Sequence, residues 1–147
     1  MLIAAARDEQ AAAAGDVVQY FNQHYQRVVR VESIPNANDQ AKIAASTLCG
    51  GSKALESLPW FWSDQYDLKL QIAGLSQGYD QVYVRGDLDS GRSIAIFYYQ
   101  QGRMIAADCI NRPQEFMLSK RVIGTTVTID PRKLMDESIV VAALLSG

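Results

Sequence analysis

Apolar and polar positions alternate through the middle of the chain and take a helical spacing on either side of it. Leu68, Leu70 and Ile72 alternate with Lys69, Gln71 and Ala73, the period of a half-buried strand. Ser76-Gln77-Gly78-Tyr79-Asp80 carries turn chemistry, and a second strand over 81–85 places Val82 and Val84 on one face. Residues 86–91 read as a loop, 93–100 as a third strand, Gln101-Gly102 as a tight hairpin turn and 103–109 as a fourth strand. Such short connections favour an antiparallel meander.

Before the strands, residues 1–35 have no clean period. The Ala11–Ala14 run, Gly15-Asp16 and the polar aromatic stretch from Tyr20 to Tyr25 read as a short strand entering a turn and then a loop. From Asn36 the spacing is helical: Ala37, Ala41, Ala44, Ala45 and Leu48 form one stripe, with Asn36 as N-cap and Gly50-Gly51 as the stop. An alanine stripe suits close approach to another helix or to something flat. After the strands, Asn111 is expected to cap a helix running to about Gly124, with Pro113 in its first turn and Gln114 completing a capping box. A connector over 125–131 and a last apolar helix over 137–145, capped by Asp136, complete the chain. The order predicts an α+β fold, an antiparallel four- to five-stranded sheet with helices packed on one face.

Composition narrows the function classes. The 147 residues are 48% hydrophobic and 20% charged, with a net charge of -2 and no basic cluster interleaved with aromatics, so a nucleic-acid surface is not expected. His24 is the single histidine, which leaves histidine metal clusters and Cys/His hydrolase sites without parts. Cys49 and Cys109 read as reduced, half-buried thiols. The apolar opening Met1–Ala6 is too short to span a membrane and lacks a basic flank, so a cytoplasmic location is expected. Asp64, Asp67, Asp80, Asp87 and Asp108 read as solvated turn and strand-end residues, and no catalytic group stands out.

Two features carry more. In an extended Pro59-Trp60-Phe61-Trp62, both tryptophans share one face and Phe61 takes the other. Phe61 reads equally as a packing plug, whereas two tryptophans on one face suit a planar ligand or a protein partner. Gly15-Asp16 after an apolar run is either a simple turn or a strand end where a carboxylate meets a ligand hydroxyl.

The motifs Ala14-Gly15-Asp16, Arg30-Val31-Glu32-Ser33-Ile34-Pro35-Asn36-Ala37, Pro59-Trp60-Phe61-Trp62-Ser63-Asp64-Gln65-Tyr66, Gly78-Tyr79-Asp80, Val84-Arg85-Gly86 and Asn111-Arg112-Pro113 occur in that order. Together they closely resemble the C-terminal third of the FAD-dependent, NAD(P)H-using ferredoxin reductases that serve bacterial aromatic dioxygenases and cytochrome monooxygenases. The resemblance implies that 1–35 is a remnant of the FAD-binding domain ending in the Gly-Asp motif and connecting loop, and that 36–147 is the C-terminal interface domain. It implies FAD contacts from Gly15, Asp16, Glu32, Ser33, Ile34, Ala37, Trp60 and Trp62, with Asp16 at the ribityl or pyrophosphate part. Lys42 and Trp62 would face the docked partner, a 2Fe–2S ferredoxin or a rubredoxin. The Gly-rich phosphate turns that hold dinucleotides in this family do not occur in the chain, so an NAD(P)H site and most of the FAD cradle are not expected in it. A flavin-facing surface rich in Ala and Trp favours self-association when uncovered.

Overall fold

The computed structural model describes residues 12–89 and 91–145. The apolar opening of the chain and the start of its alanine run lie outside the described residues. The chain divides into two compact units, Met1–Pro59 and Trp60–Gly147.

In the first unit, β1 (Gln19–Asn22) and β2 (Arg27–Arg30) form an antiparallel hairpin, with Tyr20 opposite Val29 and Phe21 opposite Val28. The expectation of one short strand entering a turn and then a loop is replaced here by two paired strands. The alternation was hidden because its inner position is polar: Tyr20 and Val29 are buried, and Asn22 beside them is 1% exposed. Asn22 is accommodated by the Tyr20 hydroxyl, and its Oδ1 accepts the His24 N–H at 3.0 Å, which also starts the turn.

Helix α1 spans Ile34–Leu48 and begins before Asn36, because Ser33 is its cap: extended backbone, with Oγ accepting the Asn36 N–H at 3.3 Å. Pro35 sits where a missing N–H costs nothing. The helix ends as expected, with Gly50 at φ +80° and Gly51 N–H returning to the Ser46 carbonyl at 2.8 Å. Its buried face differs from the predicted stripe. Asn36, Gln40 and Ala44 are buried, whereas Ala41, Ala45 and Leu48 are exposed. Hydrogen bonding makes the polar face the inner one: Asn36 Nδ2 donates to the Val31 carbonyl at 2.8 Å, and Gln40 Nε2 donates to Asn36 Oδ1 at 3.3 Å.

The second unit has the expected α+β fold. Strands β3 (Trp60–Gln65), β4 (Leu68–Gly74), β5 (Gln81–Gly86), β6 (Ile94–Gln100) and β7 (Arg103–Ile110) form an antiparallel sheet in the order β3-β4-β7-β6-β5. The tryptophan segment is thus an edge strand. The register aligns Ala73, Ala107 and Phe97 across three strands, and Gln71, Cys109 and Ala95 in the next row. On this face small side chains admit helix α2 (Pro113–Val122), which buries Phe116, Leu118 and Val122. Helix α3 (Pro131–Met135) lies by β5, and a 3₁₀ turn over Val141–Leu145 completes the layer with Val141 and Leu144 buried.

Three C-terminal expectations are corrected. Asn111 does not cap α2: at φ +51° its Oδ1 accepts the Lys69 N–H at 2.9 Å and its Nδ2 donates to the Asp67 and Arg92 carbonyls. Asn111 thus stitches loop ends together, and α2 starts without a side-chain cap. The stretch between the expected connector and the expected last helix, to which no element was assigned, forms α3, starting at Pro131 and capped by Asp130 through the Arg132 N–H at 2.9 Å. The expected last helix is a turn at Asp136, which bonds Ser138 N–H and Oγ, followed by the 3₁₀ turn. As for the cysteines, both are free, with Cys49 exposed and Cys109 buried.

Arg85 and Glu115 form a fully buried ion pair at 3.1 Å. Removing the guanidinium leaves a buried carboxylate that Arg112 alone contacts, at 3.2 Å, so Arg85→Ala is expected to cost about 3–5 kcal/mol in urea unfolding. On the face away from α2, Asp108 lies opposite Ile72 and Ile96, and its Oδ2 accepts the Tyr98 hydroxyl at 2.8 Å. Burial raises its carboxyl above the ordinary range, and the Tyr98 bond pulls it partly back. A folded-state value above the unfolded one means that the protonated form favours the fold, and this contribution is lost as pH rises through the raised value. Asp108→Asn is therefore expected to raise the melting temperature at about pH 7 and to have little effect near pH 3, a difference read from melts across that range.

Candidate functional site

In the first unit the structure brings most of the sequence candidates near two features, a turn and a helix start. Gly15 has φ +89°, the left-handed region that favours glycine, and a Cβ there would meet nothing within 4 Å. Its N–H donates to Gln40 Oε1 at 2.7 Å and its carbonyl accepts the Val18 N–H at 3.0 Å. Asp16 is exposed, and Arg30 Nη1 reaches its carbonyl at 3.4 Å while Arg30 Nη2 pairs with Glu32 at 2.5 Å. Arg30 therefore links the Gly-Asp turn to the strand running into α1.

At the helix start, Ser33 is buried, Ile34 is exposed and Ala37 is half-buried. Pro35 has no N–H, the Asn36 N–H goes to Ser33 Oγ, and the Ala37 N–H goes to the Ser33 carbonyl at 2.9 Å. The Ile34 amide is left as the first-turn donor with no partner among the described residues. At the positive end of a fifteen-residue helix, it is suited to an acceptor atom of a ligand. Lys42 lies further along α1 and pairs with Asp39 at 3.2 Å. The pair is exposed and weak, so either member is free to exchange for a partner's charge.

In the second unit, Trp60 and Trp62 project from the same face of β3 and stack with ring centroids 5.4 Å apart at 30°. Trp60 also lies 5.8 Å from the Phe116 ring, and Lys120 Nζ sits 4.4 Å from its centroid. The two tryptophans thus differ. Trp60 is half-buried between α2 and its neighbour, whereas Trp62 is the outer ring of the stack at 37% exposure. Phe61, on the opposite face, is 39% exposed and does not fill the core as a plug would.

The role of Lys120 is visible only in the structure. Its signal was its place four residues after Phe116 on α2, which becomes meaningful only once the helix is laid over the tryptophan strand. Among the described residues no group of three or more metal-ligating side chains occurs, and no helix is long and apolar enough to cross a membrane.

The family model described as reductase C-terminal matches residues 60–145, the span of the five-stranded sheet and its helices, and the chain belongs to that family. Putidaredoxin reductase from Pseudomonas putida is 43% identical over 135 residues, 92% of this chain and 32% of that protein. A ferredoxin–NAD(P)+ reductase from a Sphingomonas species is 46% identical over 103 residues, 70% of this chain and 25% of that protein. Among solved structures, the reductase in a covalent putidaredoxin reductase–putidaredoxin complex superimposes with TM-score 0.85 at 42% identity, over 95% of this chain and 33% of that one. A ferredoxin reductase from Rhodopseudomonas palustris follows the same fold with TM-score 0.83 at 34% identity, again over 95% of this chain and 34% of that one. The chain thus spans about a third of the length of the relatives it matches.

The Lys120 ammonium over Trp60 is expected to order the stack. Lys120→Met should cost about 0.5–1 kcal/mol and alter the tryptophan emission, while Lys120→Arg should retain both; urea unfolding followed by fluorescence distinguishes the two.

Proposed function

We propose that this chain is the C-terminal portion of an NAD(P)H-dependent flavoprotein ferredoxin reductase, lining part of the FAD environment and providing the docking face for an iron–sulfur protein. The observation that carries this reading is the Trp60–Trp62 stack on an edge strand, anchored inward by Phe116 and Lys120 with Trp62 outermost. Family membership and similarity to a reductase solved with putidaredoxin bound support it.

The first-unit residues suit a flavin's polar parts. Gly15 has open space at its Cα, Asp16 offers an exposed carboxylate to a hydroxyl, and the Ile34 amide, with no partner among the described residues, is a donor at a helix N-terminus. When bound, FAD would supply the electron-transfer chemistry, and the protein supplies position and electrostatics. In this reading Gly15, Asp16, Glu32, Ser33, Ile34 and Ala37 face the cofactor from the turn and helix start. Trp60 and Trp62 face it from β3, and Lys42 and Trp62 meet a 2Fe–2S ferredoxin or a rubredoxin. By descent, residues 1–35 belong to the FAD-binding part and 36–147 to the interface domain, an assignment distinct from the compact division after Pro59. A cytoplasmic setting and self-association through the uncovered face accompany this reading.

The test uses purified chain and a 2Fe–2S ferredoxin. Flavin absorbance that survives gel filtration supports the cofactor role, and colourless protein that still binds ferredoxin reduces the role to a docking module. Trp62→Ala is expected to weaken ferredoxin affinity roughly tenfold or more with the fold intact by circular dichroism. Unchanged affinity with an intact fold removes Trp62 from the docking face.

A further inference from the structure

Gln40 does not belong to any motif by which the family resemblance was drawn, yet it has the most demanding environment in the first unit. It is 0% exposed, in the middle of α1, on the face where a hydrophobic residue is ordinarily found. A buried side-chain amide is tolerated when both ends are bonded, and both are. Its Oε1 accepts the Gly15 N–H at 2.7 Å, across 25 positions of sequence, and its Nε2 donates to Asn36 Oδ1 at 3.3 Å.

Asn36 continues the chain of bonds, donating to the Val31 carbonyl at 2.8 Å and giving its own N–H to Ser33 Oγ. The Gly-Asp turn is thereby wired to the first turn of α1 through two buried amides. The bond at Gly15 is the shortest of the series and falls on a backbone held at φ +89°. Asp16 follows directly and is exposed, and its own carbonyl is reached by Arg30 only at 3.4 Å. The buried tie between the Gly15-Asp16 turn and the first turns of α1 is therefore Gln40.

We infer that Gln40 is a positioning residue: it sets the Gly15-Asp16 turn against the N-terminus of α1 so that one ligand can be met by the Asp16 carboxylate and the Ile34 amide together. Where that ligand is FAD, the inference rests on the functional reading above. Gln40 touches no ligand atom itself. Its role also explains why the inner face of α1 is polar where alanines stood available on the next face.

The experiment is amide hydrogen exchange on the intact chain, resolved at Gly15, beside a fluorescence titration with FAD. Gln40→Leu keeps volume and removes the acceptor; Gln40→Glu, compared with the parent at about pH 5 where burial keeps its carboxyl protonated, keeps the accepting oxygen and an O–H donor to Asn36 Oδ1 and serves as the rescue variant. Gly15 exchange is expected to rise roughly tenfold or more in Gln40→Leu, with α1 amides unchanged and Gln40→Glu close to the parent. FAD binding should weaken by a similar factor in Gln40→Leu and recover in Gln40→Glu. Unchanged Gly15 exchange overturns the inference, and so does a rise shared by all α1 amides, which marks Gln40 as a stability residue. A selective rise with FAD affinity unaltered overturns the ligand-positioning role. A selective rise in a parent chain that binds no FAD leaves Gln40's hold on the turn standing and removes the flavin reading.

Discussion

The second unit is organised around a buried charge. Arg85 lies on the sheet face that packs against the helices, and its guanidinium is used almost completely. Nε bonds Glu115 Oε1 at 3.1 Å, Nη1 reaches the Leu134 and Asp136 carbonyls at 3.0 and 2.6 Å, and Nη2 reaches the Ile139 carbonyl at 2.7 Å. One side chain thus joins β5 to α2, to the end of α3 and to the turn that follows it. Arg112 shares Glu115 and extends to Glu137 and the Ser93 carbonyl. The neighbour Gly86 is dictated by this crowding: a Cβ there would lie 2.5 Å from the Ser93 carbonyl oxygen and 2.9 Å from Arg112 Nη2. The motifs Val84-Arg85-Gly86 and Asn111-Arg112-Pro113 are therefore two halves of one internal network rather than surface signals.

How much could be read in advance follows from which forces act locally. Strands β4 to β7 were legible because one face meets helices, so side-chain type alternates with the pleat, whereas β3 was not read as a strand and the expected meander is broken by the pairing of β4 with β7. The helix-ending glycines and the shared face of Trp60 and Trp62 were legible for the same reason, since each follows from local backbone geometry. What failed was polar residues in inner positions. Asn22, Asn36 and Gln40 look solvent-facing by type, and their burial depends on partners elsewhere in the fold. Asn111 failed likewise: it has the composition of a cap, but its amide is claimed by Lys69, Asp67 and Arg92. Hydrophobic pattern reveals elements, while long-range hydrogen bonds decide how their ends and faces are used.

The candidate site shows the same division. The tryptophan pair was visible as chemistry, but the roles within it emerged from contacts. Phe116 and Lys120 hold Trp60, and that hold leaves Trp62 as the ring presented outward. An aromatic surface supported from behind by a cation and a ring is preorganised, which lowers the ordering cost of recognition. In the first unit the Gly-Asp turn and the start of α1 were both visible, but not the buried amides that connect them.

The two cysteines have opposite chemical standing. Cys109 lies on a central strand with no exposed surface, and burial pushes its thiol up to about 12, with the Glu115 and Asp108 carboxylates adding to the shift. It stays protonated and beyond the reach of peroxide or alkylating reagents while the domain is folded. Cys49 is exposed at the end of α1. In a chain whose relatives handle electrons, this confines thiol oxidation to one position, at the end of a helix. It also gives the folded protein a single addressable sulfur, so a spin label or fluorophore can be attached at Cys49 without first removing a competing thiol.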